Sequence, residues 1–275
     1  VVTISADRTN DGPTLDDVGI FVVDDGDPLT QIGVAIGGLT LSDSSGASGG
    51  GIWNSETTVV DACQISGHDA GTNYGAGIYN TGSLIVSNSN ISGNASLGYG
   101  GGIYSTGDLT VGNTVISGNI GLGNGGGIYS TGPLTVELGS DISGNTADSG
   151  GGIYSQGDLR LEATRLISNS ADNGGGMYVD AGSAVLSDTQ GISNTATTYG
   201  GGIYNNGQVI TLTNTTVSSN TATGRGGGVY QTTNSSRIII TTNSLVDDNI
   251  AIYGGGLFIN RGSLIMVDSQ VSRNT

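Results

Sequence analysis

Few side chains in this chain could do chemistry, and most of those are acids. The stretches "DRTNDG" and "DDGD" near the start offer Asp24, Asp25 and Asp27 as oxygen ligands for calcium, although neither continues into the loop of an EF-hand. Asp108 and Asp158 occupy equivalent turn positions in related segments, and Asp247 adjoins Asp248. Paired carboxylates of this kind could serve glycoside cleavage, where one acid donates a proton and the other attacks or activates water. Both pairs read instead as solvated turn acids, because the chain has no Lys and its 7 Arg are scattered. His68 stands where later segments place Asn, which suits a corner hydrogen bond better than catalysis. Cys63 is the only cysteine and aligns with Ser89, so no internal disulfide can form. No catalytic residue and no cofactor is assigned, and the only metal candidates are the three early aspartates.

Two columns of residues are more informative. An aromatic side chain follows an aliphatic one at Trp53, Tyr79, Tyr104, Tyr129, Tyr154, Tyr178, Tyr204, Tyr230 and Phe258. Strand alternation points these rings away from a core, as a strip that either stiffens the protein by ring packing or meets sugars or a neighbouring molecule. A shorter series, Tyr74, Tyr99, Tyr199 and Tyr253, widens the same face. Asparagine closes nearly every segment: Asn94, Asn119, Asn145, Asn169, Asn194, Asn220, Asn249 and Asn274. At a corner, asparagine tolerates the left-handed conformation, bonds backbone groups and stacks amide on amide.

These columns exist because the chain repeats. Glycine clusters begin at Gly49, Gly75, Gly100, Gly125, Gly150, Gly174, Gly200, Gly226 and Gly254, at intervals of 24 to 28 residues. Between clusters lie three short apolar pulses separated by turn formers, as in Ile103-Tyr104, Leu109-Thr110-Val111 and Val115-Ile116. None is long enough for a helix. The pattern predicts an all-β, right-handed, single-stranded parallel β-helix with three short strands and about 25 residues per coil. Inward columns follow: Ile52 to Leu257 for the first strand, Leu84 and Val86 with their equivalents for the second, and Ile65, Ile91, Ile116, Ile142, Ile167, Ile192 and Val217 for the third. Residues 1–38 break the period and read as an irregular acidic leading segment; residues 39–275 read as the regular body, the whole being one domain of a longer chain.

Composition narrows the partners. Glycine supplies 52 of 275 residues, and the net charge is −16. Such a charge opposes nucleic acid and anionic lipid, which are bound through basic groups. No apolar run is long enough to cross a membrane, so direct insertion is not expected.

The motifs "GGGI" and "GAGI", followed by "ISGN", "ISNS", "ISNT" or "VSSN", resemble the GGA[ILV] and FxxN repeats of bacterial polymorphic outer-membrane-protein-type right-handed β-helices. "VAIGGLTLSDSSGASGGG" is similar to the opening coil of large secreted bacterial β-helix proteins. The chain departs from the pattern in placing Gly third in the GGA motif and Ile or Val in place of Phe. The resemblance implies a secreted or cell-surface protein, often adhesive, exported through a barrel or held by an anchor. The sequence therefore reads as a non-catalytic extracellular β-solenoid serving as stalk, adhesive surface or filament subunit. The alternative is a glycan-binding or polysaccharide-cleaving β-helix using the aromatic face. "VSRNT" stops where another glycine cluster would begin, which suits either a longer chain or head-to-tail stacking of copies. Self-association end to end or side by side, glycans and a host or cell surface are the expected partners.

Overall fold

The computed structural model describes residues 3–4, 21–24, 26, 32–46 and 48–275. Among them every regular element is a strand. One coil shows the plan: strands Ile103–Ser105, Leu109–Gly112, Val115–Ser117 and Ile120–Asn124 follow one another around the axis before the cluster that starts at Gly125. Each pairs in parallel with its counterparts in the coils before and after. Ile103 lies between Ile78 and Ile128, Leu109 between Leu84 and Leu134, and Ile116 between Ile91 and Ile142. The result is a β-solenoid whose three main sheets have 11, 10 and 10 strands. A fourth ribbon of 7 strands fills the side between the third strand and the glycine corner.

Short strands need sharp corners, and the corners follow from local backbone preference. Between second and third strands a residue adopts positive φ in coil after coil, for example Asn88, Asn113 and Asn214 at 49°, 47° and 47°. The glycine cluster makes the tightest bend: Gly100 has φ 64°, and a Cβ on Gly102 would lie 2.6 Å from the Gly127 carbonyl oxygen. At the corner before the asparagine column the structure corrects the sequence reading. The left-handed residue is not the asparagine but the one preceding it, Gly93, Gly118 and Gly144, then Ser168, Ser193 and Ser219. This turns the asparagine side chain into the core.

The inward columns form one continuous core, with Ile52, Ile78, Ile103, Ile128, Ile153 and Met177 fully buried. Each such side chain contributes about 1.5–3 kcal/mol by leaving water. In the third column two expected residues are displaced. Leu166 and Gly191 pair with Ile142 and Val217 on the inside, whereas Ile167 and Ile192 pair with serines and face outward. The inward position is the one three residues before each asparagine, and Ile167 and Ile192 lie only two before. At Gly191 the column has no side chain; a Cβ there would find its nearest atom 4.0 Å away.

Parts of the leading segment already stack on the body. Phe21–Val23 pairs in parallel with Ile52–Asn54, and Gly33–Gly37 with Thr57–Asp61. Thr3–Ile4 pairs antiparallel with the strand at Phe21.

Candidate functional site: the aromatic stack and its polar edge

Alternation along the first strand sends Ile103 inward, Tyr104 outward and Ser105 inward. Because identical positions sit in register at the strand spacing of about 4.8 Å, the rings lie nearly flat on one another, except that Tyr230 is tilted 40° to Tyr204. Tyr79, Tyr104, Tyr129, Tyr154 and Tyr178 follow one another with centroids 5.1–5.2 Å apart and planes within 19°. Tyr178 and Tyr204 approach to 4.3 Å. Trp53 starts the row 6.2 Å from Tyr79, and Phe258 ends it 5.6 Å from Tyr230. Tyr74 stacks on Tyr99 and Tyr104, Tyr99 on Tyr129, and Tyr199 on Tyr230. Arg225 covers the far end, its guanidinium 5.1 Å from the Phe258 ring centre and 5.7 Å from that of Tyr253. The rings leave the core as alternation requires, yet their faces are spent on one another: Tyr129 and Tyr154 are each 7% exposed.

The hydroxyl edges of the row meet a line of polar residues two positions after each aromatic: Gln156, Asp180, Asn206 and Thr232. Asp180 is half-buried and accepts from Gln156 Nε2 and Asn206 Nδ2, both at 3.0 Å, with the Tyr154 hydroxyl beside it. Burial alone would raise its pKa, but these donors outweigh burial and hold the carboxyl below its ordinary range. The tyrosines respond oppositely. Burial and the neighbouring phenols push Tyr129 up to about 12, and burial with the adjacent Asp180 raises Tyr154 further. Burial and the neighbouring Tyr204 phenol likewise raise Tyr178. Sequence reasoning missed Asp180; its signal was the fixed offset from the aromatic column.

The asparagine column is an interior chain of amides. Asn119 Nδ2 donates to Asn145 Oδ1 at 3.0 Å and to the Ile91 carbonyl at 3.0 Å, while its backbone amide donates to the same Asn145 Oδ1 at 2.9 Å. Asn94, Asn145, Asn169, Asn194, Asn220 and Asn249 repeat this pattern, and Asn274 receives the last pair. His68 takes the asparagine's place in an earlier coil: its backbone amide donates to Asn94 Oδ1, Nε2 lies 3.1 Å from the Leu41 carbonyl, and Nδ1 accepts from the Ser44 amide. A second buried polar row, overlooked in the sequence, includes Asn54, whose Nδ2 donates to Asn80 Oδ1 at 2.7 Å; Asn80 in turn donates to the Ser105 hydroxyl at 2.9 Å.

The acids do not converge. Asp24 is exposed and accepts from the Gly26 amide and the Ser55 hydroxyl; Asp25 and Asp27 lie outside the described residues. Asp108 and Asp158 are exposed, the latter accepting from the Ser183 amide at 2.9 Å. Asp247 departs from the solvated-turn reading: it is buried and held by the Arg273 guanidinium and, at 2.7 Å, by the Ser272 hydroxyl. Asp248 stays exposed against the same arginine, whose hydrogen bond lowers its pKa. Cys63 is buried and free, and its backbone amide donates to Ser89 Oγ. Among the described residues no group of three His, Cys, Asp or Glu could hold a metal ion.

With this geometry in place, one comparison bears on the repeat: residues 139–156, "GSDISGNTADSGGGIYSQ", match the Chlamydia polymorphic membrane protein repeat. That segment is similar to a polymorphic-membrane-protein repeat. The matched segment contains the asparagine corner at Asn145, the fourth-ribbon strand Thr146–Ser149 and the glycine cluster, and leaves out the second strand of the coil. Sequence and fold together fit a polymorphic-membrane-protein-type β-helix repeat protein. No curated protein and no solved structure matches the chain.

Proposed function

We propose that the chain is a rigid, non-catalytic solenoid of a bacterial surface protein, serving as stalk or adhesive body. The observation that carries this reading is the recurrence of ring, amide and aliphatic columns from coil to coil, which ties turns to their neighbours by side chains as well as backbone. A rod built so holds out its surface strips without needing a cleft. The polymorphic-membrane-protein repeat supports a surface location. A glycan platform would need free ring faces, whereas those of Tyr129 and Tyr154 are covered by their neighbours. That favours stalk over glycan-cleaving or glycan-binding β-helix. Contact with a host or cell surface, and association of copies end to end or side by side, belong to the same proposal.

The test is antibody labelling of intact source cells, paired with small-angle scattering of the purified chain. The reading expects label without permeabilisation and a straight particle whose nine coils account for about 40 Å of length. Label seen only after permeabilisation, or a flexible chain of hinged parts, overturns it.

A further inference from the structure

The aromatic stack has a property that stiffness does not require: it joins one readily oxidised indole to a buried phenol that has a proton acceptor waiting. Trp53, the single tryptophan, is half-exposed at one end of the row. From it, overlapping rings lead through Tyr79, Tyr104 and Tyr129 to Tyr154 with no centroid step above 6.2 Å. Tyr154 is 7% exposed, and its hydroxyl lies beside the Asp180 carboxylate. Asp180 is anchored by Gln156 and Asn206 from the coils before and after its own. Phe258 closes the other end of the row with a ring that has no hydroxyl to lose.

We propose that this stack is an electron relay that moves an oxidising equivalent from Trp53 to Tyr154, with one-electron radical oxidants as the substrate class. The oxidant removes one electron from the Trp53 indole, which releases its N–H proton to water and becomes a neutral indolyl radical; the oxidant is reduced by one electron. An electron then passes along the stacked phenols from Tyr154 to Trp53. The indole nitrogen regains a proton from water, and the Tyr154 O–H proton moves to Asp180. The products are intact tryptophan, a neutral Tyr154 phenoxyl radical and protonated Asp180, so charge and electrons balance. Phenol oxidation releases a proton, and a carboxylate beside that hydroxyl makes Tyr154 the favoured resting place. Burial then keeps the radical from coupling to a second molecule. The relay rests on the ring geometry and on Asp180 beside Tyr154, and stands or falls separately from the surface role.

The experiment is pulse radiolysis of the folded chain with azide radical, which attacks indole selectively near neutral pH. Indolyl absorbance should decay and phenoxyl absorbance rise at one shared first-order rate, independent of protein concentration. In freeze-quenched samples the phenoxyl paramagnetic resonance signal should be lost, or moved to another ring's pattern, in Tyr154→Phe; Asp180→Asn should shift its g-values. Replacing Tyr104 and Tyr129 together by Phe keeps rings stacked while removing two relay phenols, and should slow the transfer at least tenfold. Circular dichroism and melting confirm that each variant retains the solenoid. If the double variant does not fold, the wild-type rate law and the conservative Asp180→Asn variant still decide. Indolyl decay that is purely second order, or a phenoxyl signal unchanged by both Tyr154→Phe and Asp180→Asn, overturns the proposal.

Discussion

At the scale of single residues, the amide chain shows how one substitution can carry a pH response. His68 occupies an asparagine position, and its neutral ring does the asparagine's work: Nδ1 accepts from the Ser44 amide while Nε2 faces the Leu41 carbonyl. A proton on Nδ1 would set one N–H against another. Burial lowers the His68 pKa beneath its ordinary 6.5, a shift only partly opposed by the Leu41 carbonyl and the nearby charge of Asp43. The unfolded chain therefore binds the proton first. Stability from this group is complete above about pH 6.5 and is lost as pH falls through that value toward the lower folded pKa. Hydrogen exchange should show the strands around Leu41 and Ile65 loosening between pH 7.5 and 5. His68→Asn should abolish that difference by extending the amide chain one coil; equal loosening in both proteins would refute this account.

At the scale of elements, the third-strand column contains an untaken opportunity. Gly191 holds an inward place that Ile142 and Val217 fill in other coils; a methyl group there meets nothing closer than 4.0 Å. Gly191→Ala should raise stability by about 1 kcal/mol, combining roughly 0.8 kcal/mol for a buried carbon with reduced freedom of the unfolded chain. Thermal melting measures it, and a lowered midpoint would contradict the inward placement. This column also marks where the sequence was readable and where it was not. The repeat, the first two strands and the ring row could be read because large aliphatic and aromatic residues recur at constant offsets. Ile167 and Ile192 misled because the nearest isoleucine outweighed the more reliable ruler, the distance to asparagine. The fourth ribbon was silent because its inward residues are small: Ala147, Ala171, Ala196 and Ala222 give no apolar pulse. The buried row at Asn54 and Asn80 looked like turn chemistry, although the alternation that put the aromatic outward also put the next residue inward. Asp247 is buried by a partner 26 residues away, a pairing that only the coil stacking creates.

At the scale of the whole molecule, each coil is bonded above and below by the same set of groups, so stability is nearly a sum of coil and neighbour contributions. Excising residues 125–149, which leaves Asn124 followed by Gly150, should give a folded protein shorter by about 4.8 Å and with a melting midpoint within a few degrees of the parent. A deletion that failed to fold would show that the coils are not equivalent. The asparagine amides matter here because they all run one way: every Oδ1 from Asn119 to Asn249 receives from the coil before, and every Nδ2 gives to the coil after. At the asparagine column, any junction between two such repeats is therefore chemically the same junction. Unequal exchange within the gene would add or drop turns in whole quanta with no interior left to mend, and length is the trait this architecture leaves free to vary.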